Sequence, residues 1–303
     1  MTSIDVMSIP SSIKEKLKKV GITRIEQLVG MSKETLMYLG LSETEALKAI
    51  KTSWYYYEPE LIPASELKEE VEYLETPLNA LNQILGGGWK VGTVNELFGP
   101  FASGKSSFLF TQAVITASKG FNVIFIDTEK TLEQKRLIKI AEARGISPEV
   151  LKNIKVVRAP SSNELLLVIA KLWEIIQRME NVKLIEIDSL TSPFRADYVG
   201  LEHLVERQQK LNYLLRQLMR MAEIYKLVVL FSNQVVALPG TPARWGPIGG
   251  HIVAHTSFCR IKLSKSEKKR VRVGQIVDHP SVPEKVFMFK ITDAGVEDVE
   301  LKE

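Results

Sequence analysis

The sequence has 303 residues, of which 45% are hydrophobic and 25% charged, and a formal net charge of +4. The length favours one large domain with a small one, and the composition is globular, which excludes disordered, collagen-like and coiled-coil proteins. No apolar run could span a membrane and the first residues lack a signal peptide's basic and apolar regions, so we expect a soluble cytoplasmic protein without a membrane partner. The single cysteine, Cys259, excludes an internal disulfide and suits a reducing compartment.

The charge is distributed unevenly along the chain. Residues 1–76 hold 9 Lys and Arg against 13 Asp and Glu, and the remaining residues hold 31 against 23. The larger part of the chain is therefore basic. This balance is compatible with a polyanionic partner such as nucleic acid, and equally with an ordinary solvated surface.

Residues 1–53 are predicted to form a small domain of several short helices. Ile13, Leu17 and Val20 recur at helical spacing, and two capping boxes are predicted, one of Thr23 with Glu26 and one of Ser42 with Glu45. Such a bundle is typical of helix-hairpin-helix modules that bind DNA. A protein-docking or purely structural bundle fits the same pattern.

Residues 54–76 are predicted to be a linker, because aromatic residues, prolines and an acidic run replace the helical pattern there. In residues 77–303 strands and helices then alternate, which predicts a mostly parallel sheet covered on both faces. The predicted strands are 91–97, 122–127, 154–158, 182–187 and 227–232, and the predicted helices are 108–117, 132–144, 165–179 and 204–225. Residues 258–263 and 270–277 are predicted to form a C-terminal β-hairpin, with a further strand at 286–291.

The strongest motif is a G-x-x-x-x-G-K-S phosphate-binding loop between a predicted strand and a predicted helix. Its backbone N–H groups would surround a triphosphate, and the positive end of the helix would face the anion. We expect Lys105 to reach the β- and γ-phosphates and Ser106 to bind Mg²⁺, so that the metal comes with the substrate. The predicted nucleotide-binding residues of this segment are Gly99, Pro100, Phe101, Ala102, Ser103, Gly104, Lys105, Ser106 and Ser107.

Polar residues follow three of the predicted strands, at the edge where parallel sheets bind ligands. Asp188 ends an apolar strand and is a candidate for holding the metal through water, or for capping a helix. Glu129 is the candidate base for the attacking water, although either Glu129 or Asp127 would serve to cap the next helix. Gln234 follows another strand and is placed to sense the γ-phosphate.

Residues 237–247 are so rich in Pro and Gly that we expect no regular structure there. Arg244 and Trp245 lie in this loop, a pairing suited to phosphate contact and base stacking in single-stranded nucleic acid. A structural loop has the same composition. The basic residues 265–272 are interpreted as a solvated hairpin rather than as a binding patch.

Taken together, these segments resemble the RecA/RadA family of recombinases, and archaeal RadA and its paralogs in particular. The resemblance covers nearly the whole chain. Besides the phosphate-binding loop, the matching segments are LGGG at 85–88, FIDTE at 125–129, DSLT at 188–191, FRADY at 194–198, ERQQKLN at 206–212, NQV at 233–235, GGH at 249–251, VDHP at 277–280 and PE at 283–284. The resemblance implies a RecA-like ATPase core that uses ATP and Mg²⁺.

The resemblance also implies roles for particular residues. Lys105, Glu129 and Gln234 would be the catalytic residues, with Glu129 as base and Gln234 as γ-phosphate sensor. Residues 195–207 would form a first DNA-binding loop, with Arg195 and Arg207, and residues 235–248 a second. Arg136 matches an arginine that lies against adenine. The residues implied to contact a neighbouring protomer are Leu61 and Ala64 of a polymerisation motif, and His255, Asp278 and Pro283 beside the nucleotide.

Several positions depart from the family pattern. Leu61 stands where the polymerisation motif has phenylalanine, and Lys130 replaces the glycine after the catalytic glutamate. The Gly-Arg-Gly of the first DNA loop is Gly-Leu-Glu at 200–202, the second loop is altered and shortened, and Ser-Ser-Ile at 11–13 replaces a Gly-rich hairpin. The segments that handle ATP are kept, while those that bind DNA or build a filament are weakened.

This pattern predicts a RadA paralog, a DNA-dependent ATPase of homologous recombination and DNA repair. Its expected partners are single-stranded DNA and a RadA-type recombinase, or a second copy of itself as neighbouring protomer. Two alternatives stay open: a full strand-exchange recombinase that forms its own filament, and a non-hydrolysing ATP-binding adaptor.

Overall fold

The computed structural model describes residues 2–59, 61–66, 71–200, 202–238, 241–268 and 270–299, and the side chains of 237, 238 and 241–244 lie outside this description. The chain divides into two compact units. One comprises residues 1–71 with 166–180, and the other comprises 72–165 with 181–303. None of the described helices combines the length and apolar character needed to cross a membrane.

The first unit contains a bundle of short helices, α1 (Ser11–Lys19), α2 (Ile25–Val29), α3 (Lys33–Tyr38) and α4 (Glu43–Tyr56), preceded by a 3₁₀ turn at Ile4–Val6. The predicted capping box of Ser42 and Glu45 is present at the start of α4. The predicted box of Thr23 and Glu26 is wrong. Because α2 begins one residue later than that box requires, the side chain of Gln27 accepts the N–H groups of Thr23 and Arg24, at 2.8 and 2.9 Å.

The second unit is an α/β core in which the predicted alternation is confirmed. Its first elements are β1 (Tyr73–Leu74), α5 (Asn79–Leu85), β2 (Trp89–Lys90), β3 (Val94–Phe98), α6 (Lys105–Ser118), β4 (Asn122–Asp127), α7 (Gln134–Ala143), β5 (Ile154–Arg158), the start of α8 (Ser162–Arg178) and β6 (Val182–Asp188). The rest of α8, from residue 166 onward, belongs to the first unit. They are followed by α9 (Ser192–Asp197), α10 (Leu204–Tyr225), β7 (Val228–Asn233), β8 (Val235–Leu238), β9 (Thr241–Pro247), α11 (Gly250–Thr256), β10 (Cys259–Lys265), β11 (Val271–Asp278), β12 (Val286–Thr292) and β13 (Gly295–Asp298).

In the described part of the chain, nine strands form one sheet in the order β13-β12-β11-β10-β3-β7-β6-β4-β5. The strands from β10 to β5 are parallel, and β10 to β13 pair antiparallel, which includes the predicted C-terminal hairpin. Successive strand residues point to opposite faces. On one face Leu184 and Leu230 join the hydrophobic core with Phe108 of α6. On the other, Val229 and Phe231 are buried, as are Leu211, Leu214, Leu215 and Leu218 of α10.

The register aligns the carboxyl ends of the central strands. Asp127 of β4 lies opposite Asp188 of β6, and Phe98 of β3 lies opposite Asn233 of β7. Because parallel strands end at the same edge of a sheet, the polar residues after β4, β6 and β7 gather beside the loop after β3.

Candidate nucleotide-binding site

The phosphate-binding loop lies between β3, which ends at Phe98, and α6, which begins at Lys105. Strand, loop and helix therefore follow one another as predicted. Gly104 precedes the helix with φ of +103°, a conformation that glycine adopts without strain. A Cβ at Gly99 would lie 2.1 Å from the carbonyl oxygen of Leu263 in β10, so only glycine fits there.

The side chain of Lys105 folds back over this loop. Its Nζ donates to the carbonyl oxygens of Gly99, at 2.8 Å, and Pro100, at 3.0 Å. Burial lowers the pKa of Lys105, while the charges of Asp188 and Glu129 oppose that shift. The ammonium is thus a partly desolvated cation beside an anion-binding loop. Its attraction for an anion is stronger there than in bulk water.

Asp188 ends β6 with its side chain buried. The hydroxyl of Ser232 donates to Oδ1, while Oδ2 has no hydrogen-bond partner among the described residues. Burial raises the pKa of Asp188, and the hydroxyls of Ser232 and Ser106 act against that rise. The next helix, α9, has Thr191 at its N-cap, so Asp188 does not cap it.

The donors of Asp188 and Ser106 fit Mg²⁺, which prefers oxygen ligands and keeps several of its waters. A buried carboxylate oxygen without a partner is stabilised by a cation or by a water that the cation holds. These two residues would hold the metal together with the phosphates of its nucleotide.

Glu129 lies just beyond β4, between two donors. The hydroxyl of Ser189 and the side-chain amide of Gln234 each donate to its Oε1, both at 2.9 Å. The carboxylate is therefore held through one oxygen. The structure brings Glu129 and Gln234 into direct contact, which the sequence prediction did not include.

Asp127, the alternative to Glu129, has a different role. Its two carboxylate oxygens accept the N–H groups of Thr131, at 3.2 Å, and Leu132, at 3.3 Å. Asp127 thus caps the turn that leads to α7. Glu129 remains as the candidate base.

A buried polar network lies behind the site, and sequence reasoning missed it. Asn233 Nδ2 donates to Glu96 Oε1 and to the carbonyl oxygen of Ile248, both at 2.7 Å, while the hydroxyl of Thr191 donates to Asn233 Oδ1 at 2.5 Å. Arg260 Nε donates to the other oxygen of Glu96 at 2.6 Å. Burial raises the pKa of Glu96, and Arg260 and Asn233 oppose that rise. The signal that could have revealed this network was Glu96, a charged residue within β3, whose residues are all buried.

The segment 237–247 is partly regular, so the expectation of an irregular loop is wrong. Strands β8 and β9 pair antiparallel, with Val235 opposite Pro247 and Ala237 opposite Trp245. In a two-stranded ribbon each strand has a free edge, and proline is tolerated where its missing N–H faces outward. Trp245 is 64% exposed on this ribbon. Arg244 lies in β9, and its side chain is outside the described part of the chain. Residues 239 and 240 are also outside the described part.

The predicted first DNA loop begins in α9 and ends in α10. Arg195 is exposed on α9 and Arg207 is half-buried on α10. Residue 201 of the altered Gly-Leu-Glu segment lies outside the described residues, as does residue 269 of the basic hairpin.

Arg136, predicted to lie against adenine, contacts the turn between β12 and β13. Its guanidinium donates to the carbonyl oxygens of Thr292, at 2.9 Å, and Asp293, at 3.2 Å. Its predicted contact with the base stays a prediction.

The residues predicted to meet a neighbouring protomer lie in several segments. Leu61 is 92% exposed, and Ala64 begins a 3₁₀ turn at Ala64–Glu66. His255 is exposed near the end of α11 with its ring stacked on that of His251, Asp278 ends β11, and Pro283 is exposed. Their predicted contact with a neighbouring protomer stays a prediction.

Comparison with known proteins places the chain among recombinases. The family model described as Rad51 matches residues 67–299. A protein named DNA repair and recombination protein RadA, from Metallosphaera sedula, is 35% identical over 311 residues, covering 98% of this chain and 95% of the relative. A protein of the same name from Ignicoccus hospitalis is 35% identical over 308 residues, covering 95% and 93%.

These findings confirm the resemblance to archaeal RadA and the RecA-like character of the core. The mostly parallel nine-stranded sheet of the described residues agrees with both. The chain belongs to the Rad51 family.

Proposed function

We propose that this protein is a DNA-dependent ATPase of homologous recombination and DNA repair, a RadA paralog that assists the loading of a recombinase or strand exchange. The single observation that carries the proposal is the contact between Gln234 and Glu129. Gln234 lies between β7 and β8, so it joins the candidate catalytic base to the ribbon that carries Trp245. The names of the relatives, both DNA repair and recombination proteins, support the same assignment.

ATP with Mg²⁺ is the proposed nucleotide. The loop of residues 99–106 supplies N–H groups, Lys105 supplies a cation, and Ser106 with Asp188 supplies oxygen ligands for the metal, Asp188 through water. When bound, the metal neutralises charge on the phosphates. Lys105 exchanges its bonds to Gly99 and Pro100 for bonds to phosphate oxygens, which are stronger because both partners are charged.

Glu129 acts as the general base for water. Its Oε1 is engaged by Ser189 and Gln234, so Oε2 is left to accept the proton. Gln234 senses the γ-phosphate, and when its amide turns to that anion it releases one of the two bonds on Glu129. Turnover is slow until DNA binds the ribbon of β8 and β9 and, through it, moves Gln234.

Single-stranded DNA is the proposed polyanionic partner. Trp245 is exposed on the ribbon and suited to stacking on a base, while Arg195, Arg207 and Arg244 are candidates for phosphate contact. The binding is weak to moderate, since the altered segment at 200–202 removes a cation and adds Glu202.

The paralog role is favoured over a self-sufficient recombinase by the polymerisation motif. Leu61 is smaller than the phenylalanine of the family motif and is exposed, so it provides a weaker anchor for a neighbouring copy. The neighbouring protomer that completes the site is then a RadA-type recombinase or a second copy of this chain.

Hydrolysis of ATP, measured with and without single-stranded DNA at two salt concentrations, tests the proposal. We expect slow hydrolysis that DNA stimulates, with the stimulation falling at higher salt because phosphate contacts weaken steeply with salt. Glu129→Gln, which keeps the shape of the side chain and removes the base, should abolish turnover and retain ATP binding. A non-hydrolysing adaptor would show the same rate of ATP hydrolysis in the wild type and in Glu129→Gln. Electron microscopy with ATP and DNA separates the remaining alternative, since a full recombinase would form its own filament.

A further inference from the structure

The C-terminal strands of the sheet form a wall against the phosphate-binding loop. The carbonyl oxygen of Leu263 in β10 would lie 2.1 Å from a Cβ at Gly99, and Ile291 Cδ1 in β12 would lie 3.0 Å from a Cβ at Gly104. Both ends of the loop are thus packed against these strands. Between them, β11 contributes a polar contact to the middle of the loop.

That contact is made by Arg272. Its Nε donates to the carbonyl oxygen of Ala102 at 3.1 Å, and its Nη1 donates to the carbonyl oxygen of Val271 at 2.9 Å. The side chain is half-buried, and its guanidinium is held at two points. Arg272 is therefore not simply part of a solvated hairpin, as the sequence suggested.

Ala102 has a backbone conformation that needs such support. Its φ is +60°, in the left-handed region, which costs a residue with a Cβ about 1 kcal/mol. A peptide unit is planar, so a bond to the carbonyl of Ala102 also fixes the direction of the N–H of Ser103. That N–H donates to the carbonyl oxygen of Pro100 at 3.3 Å. The guanidinium thus stabilises the turn at the centre of the loop.

We infer that Arg272 is a positioning residue for nucleotide binding, which holds the peptide between Ala102 and Ser103 so that the loop is preorganised for the phosphates. This inference rests on the proposed binding of ATP. Arg272 acts through the loop backbone, so its loss weakens the affinity for ATP and leaves the rate of the bound complex nearly unchanged.

The test compares Arg272→Gln with Lys265→Gln by titration of a fluorescent ATP analogue in Mg²⁺ and by steady-state hydrolysis. Lys265 is exposed and lies directly opposite Arg272 in the ladder of β10 and β11, so its variant removes the same charge from the same face. The loss of one charge-assisted hydrogen bond corresponds to about a tenfold change in a dissociation constant. We expect Arg272→Gln to raise Kd and KM about tenfold with kcat within about twofold of the wild type, and Lys265→Gln to bind normally.

A second comparison uses the backbone itself. Glycine adopts a φ of +60° without strain, so in an Ala102→Gly background the loss of Arg272 should cost clearly less affinity than in the wild type. Equal weakening by the two charge variants, or an unchanged Kd in Arg272→Gln, overturns the inference. The inference is also overturned if Arg272→Gln lowers the unfolding midpoint and costs the same affinity for ATP with alanine or glycine at position 102. A wild-type protein that fails to bind the analogue instead overturns the proposed function.

Discussion

The side-chain amide of Gln234 lies 2.9 Å from Oε1 of Glu129 and donates a hydrogen bond to it. One residue follows β4 and the other follows β7, yet the alignment of strand ends places them together. The contact connects the candidate base to β8, whose first residue is Val235. Gln234 is therefore the side chain through which a change in the ribbon of β8 and β9 would reach Glu129 under the proposed function.

Gln234→Ala tests this connection. Without the amide, Ser189 still holds Glu129, so the hydrolysis of ATP without DNA should stay within about threefold of the wild type. Stimulation by single-stranded DNA should fall about tenfold, the loss expected for one hydrogen bond to a charged group. Gln134→Ala, at the exposed start of α7, is the matched control. Full stimulation in Gln234→Ala would contradict the role of this contact.

Asp188→Asn tests the metal site. The amide keeps the shape of the side chain and removes the charge of a buried carboxylate whose Oδ2 has no partner among the described residues. We expect the hydrolysis of ATP at saturating Mg²⁺ to fall at least about 100-fold, since the metal contributes several kcal/mol. Binding of ATP in EDTA should be unchanged. Equal effects with and without Mg²⁺ would place Asp188 outside the metal site.

Two buried glutamates in the core should respond oppositely to the same substitution. Both oxygens of Glu186 in β6 lack a hydrogen-bond partner among the described residues, and burial, followed by the charge of Asp188, raises its pKa well above the ordinary value. Glu96 is also fully buried and bonds to Arg260 and Asn233.

Glu186→Leu should therefore raise the free energy of unfolding by about 1–3 kcal/mol, because it removes a desolvated carboxyl and adds apolar contact. Glu96→Leu should lower it by about 3 kcal/mol, because Arg260 is then left without its carboxylate. Urea unfolding of both variants and the wild type measures the difference. Changes of the same sign would show that burial alone, and not hydrogen bonding, decides the cost.

Much of the core could be predicted from the sequence, because its periodicity is local. Strand β4 and helix α10 occur at their predicted bounds, since apolar residues recur at strand or helix spacing within each segment. The edge that carries Asp127, Asp188 and Gln234 followed from the rule that parallel strands bind ligands where they end.

Contacts between distant segments could not be predicted in this way. The bond from Arg272 to Ala102 depends on the register of β10, β11 and β3 together, and no local pattern sets that register. The pairing of β8 with β9 was missed because Pro and Gly content reports local backbone preference and not cross-strand partners. The Thr23 box failed because a one-residue shift in the start of α2 exchanges Glu26 for Gln27.

The start of α4 should show a pH dependence set by Glu45. Its two oxygens accept from Lys16 Nζ, at 2.7 and 2.8 Å, and Oε2 also accepts the N–H of Ser42 at 2.8 Å. The bond to Lys16, followed by that to Ser42, lowers the pKa of Glu45 from 4.5 to about 2. A lowered pKa means that the folded unit favours the charged form.

This stabilisation is complete above the ordinary pKa of 4.5 and is lost as pH falls through about 2. Native-state hydrogen exchange of α4 amides, compared at each pH between the wild type and Glu45→Gln, should show slower exchange in the wild type near pH 7. The difference should shrink steadily below pH 4.5. Glu34→Gln, which removes an exposed carboxylate of α3, controls for net charge. A difference that persisted unchanged down to pH 2.5 would contradict this prediction. The protection would then come from the shape of the Glu45 side chain, which does not change with pH, and not from its charge.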